Sequence, residues 1–440
     1  MKPLNEAARE IAAETLRQVD VGGVVARHVS CDGKSLTLGA KSLQLAQLDG
    51  VVVVAVGKAA LPMYEAARKS LGRVQVRAVV VTNQAREQKR KTGDARFAQN
   101  DMLLLEGSHP LPDACSLQAA DAVLTLLKEV TERTAVLFLI SGGASAMVES
   151  PGVSIEDTAL FYRALIGSGL PISQMNALRK HFSAVKGGRL AEAAAKARMQ
   201  YTILVSDVPS GLPDAIGSGP SLPDSTTLAD CRTLLHRLEA LPAPVAEFFT
   251  GALCTETPKV GDRCFERSHW DVVLSSEHLA AAAAKAARKA GFRVEIDNGC
   301  DEWEYRDAGR YLIDRGLELA GGSDRVCLIS VGEVSVTLPP RTGEGGRNQQ
   351  FALWCANEVA RRGVRATILS VGSDGIDGNS QAAGAVCDES TPASAQELGL
   401  DVAGALEQFD TTPLLRAVGA AVETGPTGNN LRDLRMLLFG

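Results

Sequence analysis

The segment VVVVAVG at 51–57 is apolar at every position up to its glycine, and most of it is β-branched. A strand of that kind has no solvent face, so it must sit in a sheet covered on both sides. Further runs repeat the pattern: RAVVVT (77–82), MLLLEG (102–107), AVLFLISGG (135–143) and YTILVSDV (201–208). Helical segments are expected between them at 59–71 and at 115–130, the latter opened by Pro112-Asp113. An amphipathic helix precedes them at 5–19, with Ala8, Ile11, Ala12, Leu16 and Val19 at three- to four-residue spacing. Residues 240–268 carry scattered Pro, Gly and Thr without a sustained period. The alternation then resumes with DVVLSS (271–276), an Ala-rich helix at 278–290, FRVEI (292–296) and a helix at 305–320. VCLISVGEVSVTL (326–338), a helix at 348–362 and ATILSVGSDG (366–375) follow. Strands alternating with helices predict two α/β domains in series, 1–245 and 265–440, the first built on a parallel sheet with helices on both faces.

Composition excludes several classes. A net charge of −6 and 4% aromatic residues leave neither a basic track for phosphates of a polymer nor platforms for stacked bases, so nucleic acid is not an expected partner. Nine cysteines, an odd number with no C-x-x-C pair, argue against a disulfide framework and a zinc site and suit a reducing cytoplasm. The first residues carry Glu and Arg throughout and lack the apolar core of a signal peptide. The longest apolar runs are strand-length, well short of the roughly 18 residues of a membrane span. A soluble, cytoplasmic protein is expected.

In parallel α/β sheets ligands lie beyond the carboxyl ends of the strands, which is where chemistry-bearing residues should be sought. Lys58 follows the first run and is placed to neutralise a phosphate; the alternative is a solvated surface lysine. Ser141-Gly142-Gly143-Ala144-Ser145 follows 135–140 and lets backbone N–H groups approach an anion, or else it is a plain strand-to-helix turn. It lacks the second glycine of a nucleophile elbow, so a hydrolase reading fails. Arg179, Lys180, Lys186 and Arg189 flank a Gly187-Gly188 break and could converge on one anion, or simply be solvated helix charges. His181 has no metal partner at ligand spacing and reads as packed or solvent-facing. Asp207, at the end of 201–205, could hold Mg²⁺ or cap its loop, and Asp374 and Asp377 offer the same choice. Gly345-Gly346-Arg347 opens a helix with an arginine facing the positive end of the helix dipole, a local misfit of the kind functional sites carry. Neither a P-loop nor a dinucleotide G-x-G-x-x-G is present.

These segments together resemble the type-2 glycerate kinase family, whose second domain is the MOFRL domain. The matching stretches are GKAALPM (57–63), EGSHPLPD (106–113), LISGGASA (139–146), NALRKHFSAVKGGRLAEA (176–193) and SDVPSGLPDAIGSGPSLPD (206–224). In the second half they are VGEVSVTL (331–338), GEGGRNQQFAL (343–353), SDGIDG (373–378) and TGPTGNNLRDL (424–434). The resemblance implies a Rossmann-like first domain, a smaller α/β second domain, and ATP, Mg²⁺ and glycerate bound in a cleft between them. It marks Lys58 and Arg347 as the catalytic pair. The chain departs from the family at Ser210-Gly211-Leu212, where acidic residues are usual, and at Asn429 and Arg432 near the C-terminus.

The expected activity is ATP-dependent phosphorylation of D-glycerate, at C2 by the resemblance. Ser141, Gly142, Gly143, Ser145, Gly345 and Gly346 would cradle phosphate. Arg179, Lys186, Arg189 and Asn430 would bind the substrate, and Asp207, Asp374 and Asp377 the metal. Lys180 is expected to be a bystander charge, and removing Lys58 or Arg347 to leave the fold intact. The rivals are an NAD(P)H-dependent hydroxypyruvate reductase, a kinase for a related hydroxy acid, and a non-catalytic sugar-acid sensor. The expected partners are small molecules, with no membrane and with room for a homo-oligomer.

Overall fold

The computed structural model describes residues 2–83, 85, 102–208, 211–238, 241–321 and 325–440. It divides into two compact units, Val21–Val273 and a second made of Leu274–Gly440 together with Met1–Asp20. This differs from the expected division in two ways. The break falls at 273/274, because the helix Ala243–Thr250 inside the supposed linker buries Val245 and Phe249 in an apolar cluster of the first unit. And the amphipathic helix Leu4–Gln18 belongs to the C-terminal unit, where Arg9 donates to the carbonyls of Gly419 and Ala421 at 2.7 and 3.0 Å.

The first unit opens with a small antiparallel sheet that the sequence reading missed: β1 (Val29–Cys31), β2 (Ser35–Leu38) and β3 (Lys41–Gln44). Its main sheet contains β4 (Gly50–Val56), β5 (Val76–Thr82), β6 (Met102–Glu106), β7 (Thr134–Ile140), β8 (Met199–Val205) and β9 (Ser268–Leu274). Their order is β6-β5-β4-β7-β8-β9, and the pairings from β6 through β8 are parallel. Every residue of β7 and β8 is buried, as unbroken apolar strands require. The chain leaves β4 first toward β5 and then returns to β7, so the strand order reverses between β4 and β7. That reversal opens a crevice at their carboxyl ends. A separate helical cluster packs Phe161, Tyr162, Phe182 and Phe249, with Phe161 and Phe182 ring centroids 4.6 Å apart. Burying one such ring stabilises by roughly 1.5–3 kcal/mol.

The second unit holds β10 (Arg293–Ile296), β11 (Val326–Gly332), β12 (Ala366–Gly372), β13 (Gly384–Asp388), β14 (Ala421–Val422) and β15 (Asp433–Phe439). The sheet is mixed, in the order β10-β11-β15-β12-β13-β14, with only β10 and β11 parallel. The C-terminal strand β15 lies antiparallel between β11 and β12 and is buried throughout. The expected strand over 326–338 stops at Gly332, where a Cβ would lie 2.3 Å from a carboxylate oxygen of Asp301. Among the described residues, no helix is long and apolar enough to cross a membrane. None of the nine cysteines is in a disulfide.

Candidate functional site

The turns after β4 and β7 are tied to each other. The Lys58 N–H donates to the Gly142 carbonyl at 2.9 Å, and the Ala59 N–H to Ser141 Oγ at 3.0 Å. Gly57 is required here, since its φ is +126° and a Cβ would sit 2.3 Å from Ser141 Oγ. Ser141 is therefore a buried strut between the strand ends, a correction to its expected part in a phosphate cradle. The N–H groups of Gly142 and Gly143 donate to no described residue, which leaves two neighbouring amides at the mouth of the crevice. Ser145 Oγ lies 2.8 Å from Ser218 Oγ, which itself donates to Asn176, so it belongs to the packing of that loop.

Cations gather beside the two amides. A Cβ on Gly143 would lie 3.6 Å from Lys58 Cγ and 3.2 Å from His109 Cδ2, so both side chains flank this turn. Arg179, on the helix Ile172–Phe182, stacks its guanidinium 5.0 Å from the Tyr162 ring centroid, and its Nε has no hydrogen-bond partner among the described residues. Tyr162 is in turn hydrogen-bonded to Glu149. Burial and the Glu149 charge raise its pKa well above the ordinary value, so it remains a neutral phenol beneath Arg179.

The other cations of this segment are engaged internally, and here the structure corrects the sequence reading. Lys186 is 1% exposed, and its ammonium donates to Glu149 (2.6 Å), the Val148 carbonyl (3.2 Å) and Ser183 (3.3 Å). With those donors taken it holds Glu149 in place and cannot also grip a substrate. Arg189 clamps the loop at Thr255, donating to its carbonyl at 2.9 Å and its hydroxyl at 3.0 Å. Lys180 is no bystander, because it lies buried between Asp214 (2.6 Å) and Asp224 (3.0 Å). Burial opposes the Asp224 charge, but Lys180 and the hydrogen bonds from Thr226 and Thr257 together hold the carboxyl below its ordinary value. The Gly187 and Gly188 amides donate to the Ser218 and Gly219 carbonyls, so this break docks the loop at 217–220. His181 is packed, with its ring against the Ala177 carbonyl and Glu256.

In the second unit, Gly346 precedes the helix Arg347–Arg361. Asp377 serves as its cap from outside: its carboxylate accepts from the N–H groups and the side-chain amides of both Asn348 and Gln349, at 2.9–3.2 Å. Burial, with Asp433 nearby, pushes the Asp377 carboxyl up to about 6 against those four donors. With four donors on its two oxygens, Asp377 caps this helix, a correction to its expected part as a metal ligand. A Cβ on Gly346 would lie 2.1 Å from Asp377 Cγ, so only glycine fits. The Gly345 N–H is engaged by Asn379 at 2.9 Å and is not available to a phosphate.

Arg347, the first residue of that helix, donates through Nε to Asp433 Oδ2 (2.6 Å) and through Nη2 to Asp433 Oδ1 (3.2 Å), and pairs with Glu333 at 2.7 Å. Burial works against its charge, but Asp433 and Glu333 more than compensate and raise its pKa. These acids also relieve the misfit with the helix dipole. Nη1 makes no bond to a described residue, so part of the fork stays available. Sequence reading did not single out Asp433, although it lies in the quoted segment 424–434. Arg432, one of the departures from the family, is bound to Asp301 through both Nη atoms. Asn430 is buried and engaged.

Asp207 and Asp374 are half-buried, and each has a contact of its own. No cluster of three or more His, Cys, Asp or Glu side chains among the described residues could hold a metal unaided. Ser210 lies outside the described residues.

Comparison with known proteins gives two family matches along the chain. Residues 7–250 match the family model described as a domain of unknown function, DUF4147, and residues 326–433 match the MOFRL family. The chain is 36% identical to a D-glycerate 2-kinase of Thermotoga maritima, over 90% of this chain and 92% of that one. It is 35% identical to an Agrobacterium vitis protein labelled hydroxypyruvate reductase, over 88% of this chain and 87% of that one. The crystal structure of a glycerate kinase from Thermotoga maritima superposes with a TM-score of 0.81 at 32% identity, covering 99% of each chain.

Proposed function

Because the chain belongs to the glycerate 2-kinase family of DUF4147 and MOFRL proteins, we propose that it transfers the γ-phosphoryl group of ATP to D-glycerate, giving 2-phosphoglycerate. The observation that carries the reading is the corner between β4 and β7, where two unengaged amides lie beside Lys58 and His109, and His109 feels the Arg179 charge. Phosphoryl transfer asks for alignment and charge neutralisation more than for covalent chemistry, and this corner offers donors and cations for both. Gly142 and Gly143 would receive phosphate oxygens, and Lys58 would neutralise the charge they carry. Arg179, braced on Tyr162, would pair with the substrate carboxylate or a phosphate. Arg347, its Nε and Nη2 fixed by Asp433, would offer Nη1 to the transferring group. Asp207 and Asp374 are the carboxylates that would meet Mg²⁺, which when bound supplies positive charge to nucleotide phosphates.

The label of the Agrobacterium relative keeps one rival in view, reduction of hydroxypyruvate by NAD(P)H. One pair of assays separates the two. Magnesium-dependent ADP release with D-glycerate, and little with glycerol, supports the kinase. Oxidation of NAD(P)H by hydroxypyruvate without ADP release would overturn it.

A further inference from the structure

The crevice needs a proton acceptor, because the attacking hydroxyl must lose its proton as it becomes a phosphate ester. The carboxylates of this unit nearest the described cations are already engaged: Glu149 by Lys186 and Tyr162, and Asp214 and Asp224 by Lys180. Glu106 and Asp207 have contacts of their own. His109 differs from all of these. It lies in the segment GSHPLPD, beyond the carboxyl end of β6, with Cδ2 3.2 Å from where a Cβ on Gly143 would stand. Neither ring nitrogen makes a hydrogen bond to a described residue, and the side chain is open to solvent. A neutral imidazole with a free lone pair therefore borders the two unengaged amides.

We propose that His109 is the general base of the transfer. One ring nitrogen takes the proton of the attacking hydroxyl as its O–H bond breaks and its oxygen bonds to the γ-phosphorus of the nucleoside triphosphate. The bond from that phosphorus to the bridging oxygen breaks with it, and ADP leaves with the electron pair. The imidazolium then returns its proton to water. This assignment rests on the phosphoryl-transfer reading.

The charged groups facing the ring are Lys58, from the turn after β4, and Arg179, from the helix Ile172–Phe182. Although solvent reaches the ring, neighbouring atoms desolvate it, and with the two cations they pull its pKa below the ordinary histidine value. The free base thus predominates at neutral pH. Once a triphosphate and a carboxylate neutralise the cations, the ring becomes a better proton acceptor, which couples basicity to a filled site.

The test is the pH dependence of kcat and kcat/KM for D-glycerate in the wild type, His109→Gln and His109→Asn. Wild-type kcat/KM should fall as acid protonates the ring of the free enzyme, at a pH below that of an ordinary histidine, with the kcat limb at a higher pH than the kcat/KM limb. Both variants should melt with the wild type and keep KM within about threefold. Their kcat should fall about 100-fold or more, with the acid limb lost. A variant keeping more than a tenth of kcat, or losing kcat while the acid limb stays, would overturn the assignment. Should both variants fail to fold, the temperature dependence of the wild-type acid limb decides: an imidazole limb moves with temperature, whereas a carboxylate limb scarcely moves. A wild type that releases no glycerate-dependent ADP at any pH overturns the phosphoryl-transfer reading itself. An active wild type with active variants overturns the base alone.

Discussion

Replacing Arg347 with alanine should damage both the chemistry and the fold, and the two effects can be separated. The side chain is 34% exposed while its partner Asp433 is 2% exposed, so the substitution strands a buried carboxylate. Breaking a buried pair by removing one member costs about 3–5 kcal/mol. Solvent around the exposed part of Arg347 screens some of this, leaving roughly 2 kcal/mol. For a unit of this size each kcal/mol moves Tm by roughly 2–4 °C, so the unit should melt about 4–8 °C lower. This corrects the expectation from sequence that the variant would melt like the wild type. The catalytic loss should be larger, roughly 10³-fold or more in kcat with KM little changed, as for arginines that act mainly in the transition state. Adding Asp433→Asn to Arg347→Ala removes the stranded charge and should restore most of Tm but none of kcat. Arg347→Lys should recover only part of the activity, because an ammonium loses the planar fork. Calorimetry and coupled ADP release on the three variants check this. A folded Arg347→Ala retaining more than a tenth of kcat would make Arg347 a purely structural residue, and an unchanged Tm would refute the ion-pair argument.

Lys58→Ala should lower kcat by a comparable factor; a fall under tenfold in coupled ADP release would remove it from the chemistry. Lys180→Ala should destabilise by about 3–5 kcal/mol, since it leaves Asp224 buried and unpaired, whereas the exposed Lys196→Ala should change neither Tm nor kcat appreciably. Equal urea midpoints for these two would contradict the buried pairing. Acid should also loosen the first unit. Lys180 and the hydrogen bonds from Thr226 and Thr257 hold Asp224 below its usual value of 3.8, and although burial opposes it, hydrogen bonds from Lys259 and His181 bring Glu256 from 4.5 to about 2. Both folded pKa values are depressed, so their stabilisation is present above about pH 4.5 and is lost as pH falls toward 2. A urea midpoint that does not move between about pH 5 and pH 2.5 would be inconsistent with this.

The parallel sheet was legible because β4 and β7 are apolar at nearly every position, and only a doubly covered sheet tolerates that. Lys58, Gly142 and Gly143 stood out as candidates because they follow such strands. The antiparallel insertion of β15 was not legible, since a buried strand reads the same in either direction. It sits between β11 and β12 and carries Asp433, so the partner of Arg347 was hidden with it. The charges in 179–189 misled for a related reason. Spacing shows which cations are near one another, but not that Glu149, Asp214 and Asp224 meet Lys186 and Lys180 from remote parts of the chain. His109 was passed over because a lone histidine in a Pro-rich loop gives no periodic signal.

The most direct test of the account is phosphorus NMR of one reaction mixture containing the purified protein, ATP, Mg²⁺ and D-glycerate. The account predicts loss of the γ-phosphate resonance of ATP and growth of the phosphomonoester signal of 2-phosphoglycerate in equal amount. ATP left intact, or a product that is the 3-phosphate alone, would contradict it.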